Sequence, residues 1–422
     1  MGPVYAESYQ LGSWDARILG SCTEVRASRR SSFLAFQRPS VPAYDAGVKM
    51  RWVFRICLLV VIAGLGVGCA SAPTLEQRRA PARAPRYAEI DEDCRLAPVG
   101  GDTRLVATDD GRVILIGVGL GIMQSSDSGM TFSSIAAPKG IRWPSITAEG
   151  HRAWVSWIER GQTPRALVAS IGQGLGAHSV ALSSSRTLID TEILALGEGR
   201  LLLFVTEVDG RPNSNEATYT VQCLVSADGG LSWTQRSRAV SGPWGINIED
   251  PRAVVAPDGA VLLAYEWESV EGGASEIMMQ RSENGGLSWS AASVLWGGAR
   301  QADREPGGFV RVGSDLWFVA STDVENPGTS YSGSEISMIR SSDGGKTWTQ
   351  PKTVIRQSDQ VSMGGVTVDG VVILPSIRRY SVARERYLAL FRVDPVGRWP
   401  VSCTGSGMFS AGFEAGDADH WN

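Results

Sequence analysis

The chain has 422 residues, 43% hydrophobic and 20% charged, the composition of a globular protein able to bury a sizeable core. A formal net charge of −4 carries no basic excess to neutralise phosphates, which excludes nucleic acid as a partner. Three histidines (His151, His178, His420) and six cysteines without a CxxC pair leave no material for a histidine triad, a zinc ribbon or a dithiol redox motif, and neither metal nor cofactor is expected.

The first element in chain order is an address. From Met50 the sequence runs MRWVFRICLLVVIAGLGVGCASAP: two arginines, an apolar run too short to span a bilayer comfortably, then small residues and Cys69. Residues 50–69 therefore read as a signal peptide. Residues 1–49, which precede it, read as an extra leader with Met50 as the true start, a genuine long leader being the alternative. The ending Leu65-Gly66-Val67-Gly68-Cys69 resembles the bacterial lipobox, so Cys69 is the expected lipidation site, with a plain cleaved signal as the alternative. The chain is then exported to the cell envelope and holds the membrane through an N-terminal lipid anchor. Residues 70–90, punctuated by Pro73, Pro81 and Pro85 among polar residues, form a flexible tether.

Beyond the tether one short motif recurs: SSDSGMTF at 125–132, SADGGLSW at 226–233, SENGGLSW at 282–289 and SSDGGKTW at 341–348. Asp127, Asp228, Asn284 and Asp343 suit Asx-type acceptance of turn N–H groups. Gly129, Gly230, Gly286 and Gly345 suit positive φ. Phe132, Trp233, Trp289 and Trp348 each bring one ring to pack between neighbouring sheets. The Asp/Asn positions are 101, 56 and 59 residues apart, so a decayed copy is expected inside the first interval, and SIGQGLGA at 170–177 sits there.

Strand-like runs recur in phase with these motifs: RVILIGV, HRAWVSWI, RLLLFVTEV, AVLLAYEWE, DLWFVAST and VVILPSI. Six runs predict an all-β, six-bladed β-propeller with four-stranded blades over 91–403. The blades fall at roughly 92–138, 139–182, 183–241, 242–297, 298–356 and 357–403, the last without a motif. Cys94 and Cys403 stand at the two ends of the array, and closure of the ring predicts a disulfide between them. Cys223 reads as a buried free thiol, and residues 404–422 as an exposed tail.

The motifs, their phase and the six-run count resemble the Asp boxes of the sialidase (BNR) superfamily of six-bladed propellers, over about 92–403. The resemblance implies boxes at the periphery and a site at the axis, where three arginines clamp a substrate carboxylate. It further implies a tyrosine nucleophile activated by a glutamate, with an aspartate as acid/base. Carried onto this chain, CRLAP offers Arg95 as the first clamp residue, ADREPGGF offers Arg304 as a second, INIEDPRAVV offers Glu249 or Asp250 as the nucleophile's partner, and SIRRYS offers Tyr380 as nucleophile. Arg252, Asp250, Glu266 and Trp267 join as substrate-binding candidates.

Two departures stand out. AYEWE at 264–268 occupies the place of another arginine, and the turn at 119–121 is too short to carry the acid/base aspartate. Each candidate also has an ordinary reading: blade-edge surface pairs for Arg95, Arg304 and Tyr380, a Glu249–Arg252 salt bridge, and a solvated strand face for Glu266 and Glu268. Asp190, Glu192, Glu249, Asp250, Arg252, Asp303, Arg304, Glu305 and Asp359 precede first strands and would converge on one axial mouth, with Trp143, Trp157, Trp244 and Trp267 near it. Two functions follow: an exo-sialidase-type glycoside hydrolase acting on extracellular glycans, or a non-catalytic propeller binding glycan or protein at the cell surface.

Overall fold

The computed structural model of the chain describes residues 102–136, 140–172, 174–271, 275–297, 304–325 and 332–358, with short stretches at 88–89, 97–98, 360–361, 365–368, 371–379, 386–393 and 402–403. All lie in one compact unit spanning 82–422. Two short strands, β1 (Ala88–Glu89) and β2 (Ala97–Pro98), come first. Blade one is β3 (Thr103–Ala107), β4 (Val113–Gly117), β5 (Gly121–Ser125) and β6 (Ser133–Ala136). Blade two is β7 (Ser145–Glu149), β8 (Arg152–Glu159), β9 (Arg165–Ile171) and β10 (Leu175–Ser183). Blade three is β11 (Thr187–Gly197), β12 (Arg200–Asp209), β13 (Thr218–Ser226) and β14 (Thr234–Ser241). Blade four is β15 (Ile246–Val255), β16 (Val261–Ser269), β17 (Glu276–Ser282) and β18 (Ser293–Trp296). Blade five is β19 (Arg304–Val312), β20 (Asp315–Glu325), β21 (Ser332–Ser341) and β22 (Lys352–Ser358). After β23 (Gln360–Val361), blade six is β24 (Val366–Val368), β25 (Val371–Arg379), β26 (Arg386–Val393) and β27 (Ser402–Cys403).

Within each blade successive strands pair antiparallel. The first strands β3, β7, β11, β15, β19 and β24 each touch the next, and β24 touches β3, so the six close into a ring about one axis. This is the six-bladed β-propeller that the six runs predict. Those runs are the second strands. Each is covered on both faces by neighbouring blades, and β4 is accordingly buried at all five residues. Its Val113 and Leu115 pack with Ile373 and Leu388 of blade six, while Ile114 and Ile116 pack with Val155 and Leu167 of blade two.

The four recurring motifs are the turns between third and fourth strands. In blade three, Asp228 Oδ1 accepts the backbone N–H groups of Leu231 (3.0 Å) and Ser232 (2.9 Å), its Oδ2 accepts the Ser232 hydroxyl (2.6 Å), and Gly230 N donates to Ser226 Oγ (2.8 Å). Blade five repeats this around Asp343, and Asn284 reproduces it in blade four with its amide donating to Ser288 Oγ. The Ser232 hydroxyl and its N–H, with the Ser226 hydroxyl, hold the Asp228 carboxyl down to about 2. Each motif glycine presses on the preceding blade: a Cβ on Gly286 would stand 2.9 Å from Cys223 Sγ, and one on Gly345 would overlap the Leu262 side chain. The rings fill the same seam, with Trp289 edge-on to Phe204 at 5.7 Å between centroids.

The segment 170–177 forms the corresponding turn of blade two. None of its described glycines Gly172, Gly174 and Gly176 adopts the left-handed conformation of the other four turns. Cys223 is a buried free thiol, which burial pushes up to about 12. Cys94 lies outside the described residues, and of Cys403 the backbone alone is described, paired with Phe391. The leader, Cys69, most of the tether and the tail also lie outside them. The first described strands join the last blades: β2 pairs β26 at Ala97–Leu388, and β1 runs parallel to β22 at Ala88–Ile355.

Candidate functional site

The links that enter the first strands and the turns between second and third strands share one end of the ring, opposite the four motif turns. Three first strands enter from that end with the same pattern: Asp102-Thr103-Arg104, Asp190-Thr191-Glu192 and Asp250-Pro251-Arg252. Register confirms the equivalence. Arg104 pairs Ile116, Glu192 pairs Phe204 and Arg252 pairs Ala264, the same offset in all three blades. The pattern stacks two tiers at the axis, an outer one of aspartates and an inner one of Arg104, Glu192 and Arg252, all three of the inner residues within one another's electrostatic reach.

The strand that carries most of the mouth is distorted. Glu249 pairs Glu266 and Arg252 pairs Ala264, so Asp250 and Pro251 together face Tyr265 in a β-bulge, with Asp250 at φ 52°. The bulge turns Asp250 back so that its carboxylate accepts Arg252 Nη2 at 2.8 Å and its N–H donates to Asp190 Oδ2 at 3.3 Å. The rest of Arg252 is committed to structure: Nε donates to Pro306 O (3.0 Å) and Nη1 to Pro251 O (2.7 Å). Glu192 is likewise held, accepting Ser145 Oγ (2.9 Å) and Ala253 N (3.1 Å).

Concentrating acids here raises their proton affinity. Burial, then Asp250 and Glu268, push Glu249 up to about 7. Asp190 is raised well above the usual carboxylate range by burial and by Asp250, Glu249 and Asp102. Burial also raises Glu192, against the opposing pull of Arg104 and Arg252. Arg104 is lowered to about 10, by burial first and by Arg252 second. Its guanidinium Nε and Nη1 are buried without a hydrogen-bond partner among the described residues.

The other candidates separate. Arg304 is buried, its backbone N–H on Ser275 Oγ (2.6 Å) and its Nη1 on Ser275 O (3.0 Å). Glu266 is buried on β16, and Trp267 packs into the core between blades three and four. Trp157 is buried between blades one and two, edge-on to His178. Trp143, at φ 46°, packs against core on one side and carries Arg160 over its ring at 4.8 Å. Trp244 is 75% exposed on a loop pinned by Gly242 N on Tyr219 O and Val270 N on Gly245 O, both 3.0 Å. Beside that loop Asn247 bridges Asn213 Oδ1 (3.0 Å) and Glu268 Oε2 (3.3 Å). Arg95, Tyr380, Asp303 and Asp359 lie outside the described residues.

Asp102 and Arg104 stand outside the candidates read from the sequence. The signal was present, since Arg104 precedes Asp110-Gly111 by the same six residues that separate Arg252 from Asp258-Gly259 and Glu192 from Glu198-Gly199. Among the described residues no group of three or more His, Cys, Asp or Glu is arranged to hold a metal ion.

No protein-family model and no curated protein sequence matches the chain. Solved structures resemble it in part. The α-L-arabinanase of Penicillium chrysogenum complexed with arabinobiose aligns over 62% of this chain and 80% of its own, at 12% identity and a TM-score of 0.49. The GH93 α-L-arabinofuranosidase of Fusarium graminearum with arabinobiose aligns over 66% and 89%, at 14% identity and 0.47. A Hadza microbial sialidase aligns over 68% and 65%, at 17% identity and 0.47. Similarity at this level transfers neither substrate nor residue roles.

Proposed function

We propose that the chain is an exported glycoside hydrolase that cleaves glycans at the axial mouth, with Glu249 as general acid. The carrying observation is the pairing of unlike carboxylates: Glu249, which holds its proton to about pH 7, adjoins Asp250, which is ion-paired to Arg252 at 2.8 Å. A carboxyl pushed up by burial beside a carboxylate that is ion-paired to an arginine suits acid/base work. In the proposed step Glu249 gives its proton to the glycosidic oxygen as the bond to the anomeric carbon breaks. Water supplies the hydroxyl that replaces it, and its proton passes to Asp250.

The finer version is an exo-sialidase, in which Tyr380 is the nucleophile, Glu249 its activating partner, and Arg95, Arg252 and Arg304 the carboxylate clamp. It asks Arg252 and Arg304 to release the backbone carbonyls they now hold. Export through the 50–69 signal, anchoring at Cys69 and a Cys94–Cys403 clasp belong to the same proposal. The meeting of β2 and β27 on one edge of β26 favours the clasp.

The test is hydrolysis by the full chain of aryl glycosides, including an aryl sialoside, with Glu249→Gln and Tyr380→Phe in parallel. Loss of turnover in Glu249→Gln on neutral glycosides supports the acid role, and sialoside turnover abolished by Tyr380→Phe selects the exo-sialidase version. Silence of the wild-type chain on every substrate sinks the enzymatic reading and leaves a glycan-binding propeller.

A further inference from the structure

Arg104 and Arg252 hold equivalent positions in blades one and four, and both are buried, at 6% and 2% exposure. Their hydrogen bonding differs sharply. Arg252 fills Nε, Nη1 and Nη2 with Pro306 O, Pro251 O and Asp250 Oδ1, whereas Nε and Nη1 of Arg104 have no partner among the described residues. A buried guanidinium with donors left open costs several times a normal hydrogen bond, so the position is costly unless a ligand oxygen completes it.

The surroundings choose the ligand's charge. Arg252 is the first charge acting on Arg104, Glu192, Asp102 and Asp250 oppose it, and Asp190 and Glu249 belong to the same mouth. A ligand carboxylate on Arg104 would add a further acid to five carboxyl groups that already outnumber Arg104 and Arg252. A hydroxyl accepts from Arg104 through its oxygen and donates its own proton to a neighbouring carboxylate, so a pair of ring hydroxyls satisfies both partners without adding charge.

We propose that Arg104 is the floor of a sugar subsite that takes the hydroxyls of an uncharged glycan unit, with the aspartate tier accepting hydrogen bonds from those hydroxyls. The inference rests on the glycan-acting reading of the mouth and adds the substrate class. It separates the chain from any enzyme selecting acidic sugars.

The experiment is binding of the full chain, as wild type, Arg104→Met, Arg104→Lys and Asp102→Asn, to an array bearing neutral, sialylated and uronate-containing oligosaccharides. Thermal unfolding reports whether each variant folds. The expected result is retention of neutral glycans by the wild type, weakened at least tenfold in Arg104→Met and severalfold in Arg104→Lys, which keeps the charge and loses the planar fork. Asp102→Asn, with one carboxylate neutralised, is expected to gain affinity for the acidic glycans. Preference of the wild type for sialylated or uronate glycans, equal retention by folded Arg104→Lys, or no retention of any neutral glycan overturns the proposal. Neutral binding through Arg104 without hydrolysis keeps it while ending the enzymatic reading, and hydrolysis that ignores Arg104 does the reverse.

Discussion

The two ends of the ring handle polar groups in opposite ways. At the motif turns the recurring aspartate is solvent-facing and saturated by local donors: Asp228 accepts three contacts from Leu231 and Ser232 within its own turn. At the axial mouth charges are buried, crowded and held against their preference, with Glu249 raised to about 7, Asp250 in a left-handed bulge and Arg104 short of partners. The first arrangement stabilises a fold. The second holds polar groups at a cost, which is the usual division between scaffold and site.

Substitutions can break that contrast, and the largest effect is expected at Glu249. Glu249→Gln should cut turnover 100-fold or more, and the wild-type rate should fall as pH rises through about 7, where the acid loses its proton. The same substitution is expected to raise stability. The folded group titrates near 7 and the unfolded one near 4.5, so its penalty is absent below 4.5, grows between the two and is constant above 7. The glutamine variant should therefore unfold at a higher temperature at pH 8, by up to about 3 kcal/mol in stability. A midpoint unchanged at pH 8 would show that Glu249 carries no such burden.

Next in size is Gly345→Ala, which meets both a left-handed backbone at φ 85° and the buried Leu262 side chain. About 3 kcal/mol of destabilisation is expected, against about 1 kcal/mol for Gly259→Ala, whose φ of 86° is matched by open space. Denaturant midpoints of the two variants compare them directly. At the mouth, Trp244→Ala should weaken glycan retention about tenfold with the thermal midpoint unmoved, because the ring is 75% exposed.

The smallest effect is expected from Asp228→Asn. Hydroxyl and N–H donors hold this carboxyl near 2, so its stabilisation is present above 3.8 and is lost as pH falls through about 2. Asparagine already does the same job at 284. The variant should match wild type at pH 7 and lose less stability on acidification, and a fall at pH 7 would mean that the charge itself matters.

How much of this is visible in the sequence follows from the same contrast. The motif turns satisfy their own hydrogen bonds within eight residues, so Ser-x-Asp-x-Gly-x-Ser-Trp is legible wherever it stands. The second strands are legible for a similar reason, since burial on both faces writes a continuous apolar run such as VILIG. The mouth is assembled from residues distant in sequence, so its members are visible as acids and arginines while their roles are not. Nothing local distinguishes saturated Arg252 from Arg104. Trp267 looks like a ligand platform beside two glutamates, and the pleat lays it half-buried against the core between blades three and four. The positive φ of Asp250 follows from a bulge opposite Tyr265, which no residue pattern announces.

The pairing of β2 with β26 has a kinetic meaning. The chain segment that emerges early completes the blade that emerges late, so the ring stays open, with unpaired strand edges at both ends, until nearly the whole chain is available. A polypeptide threaded outward from its N-terminus would spend that interval exposed to edge-to-edge aggregation, and truncations that remove blade one or blade six should yield insoluble material rather than smaller folded propellers.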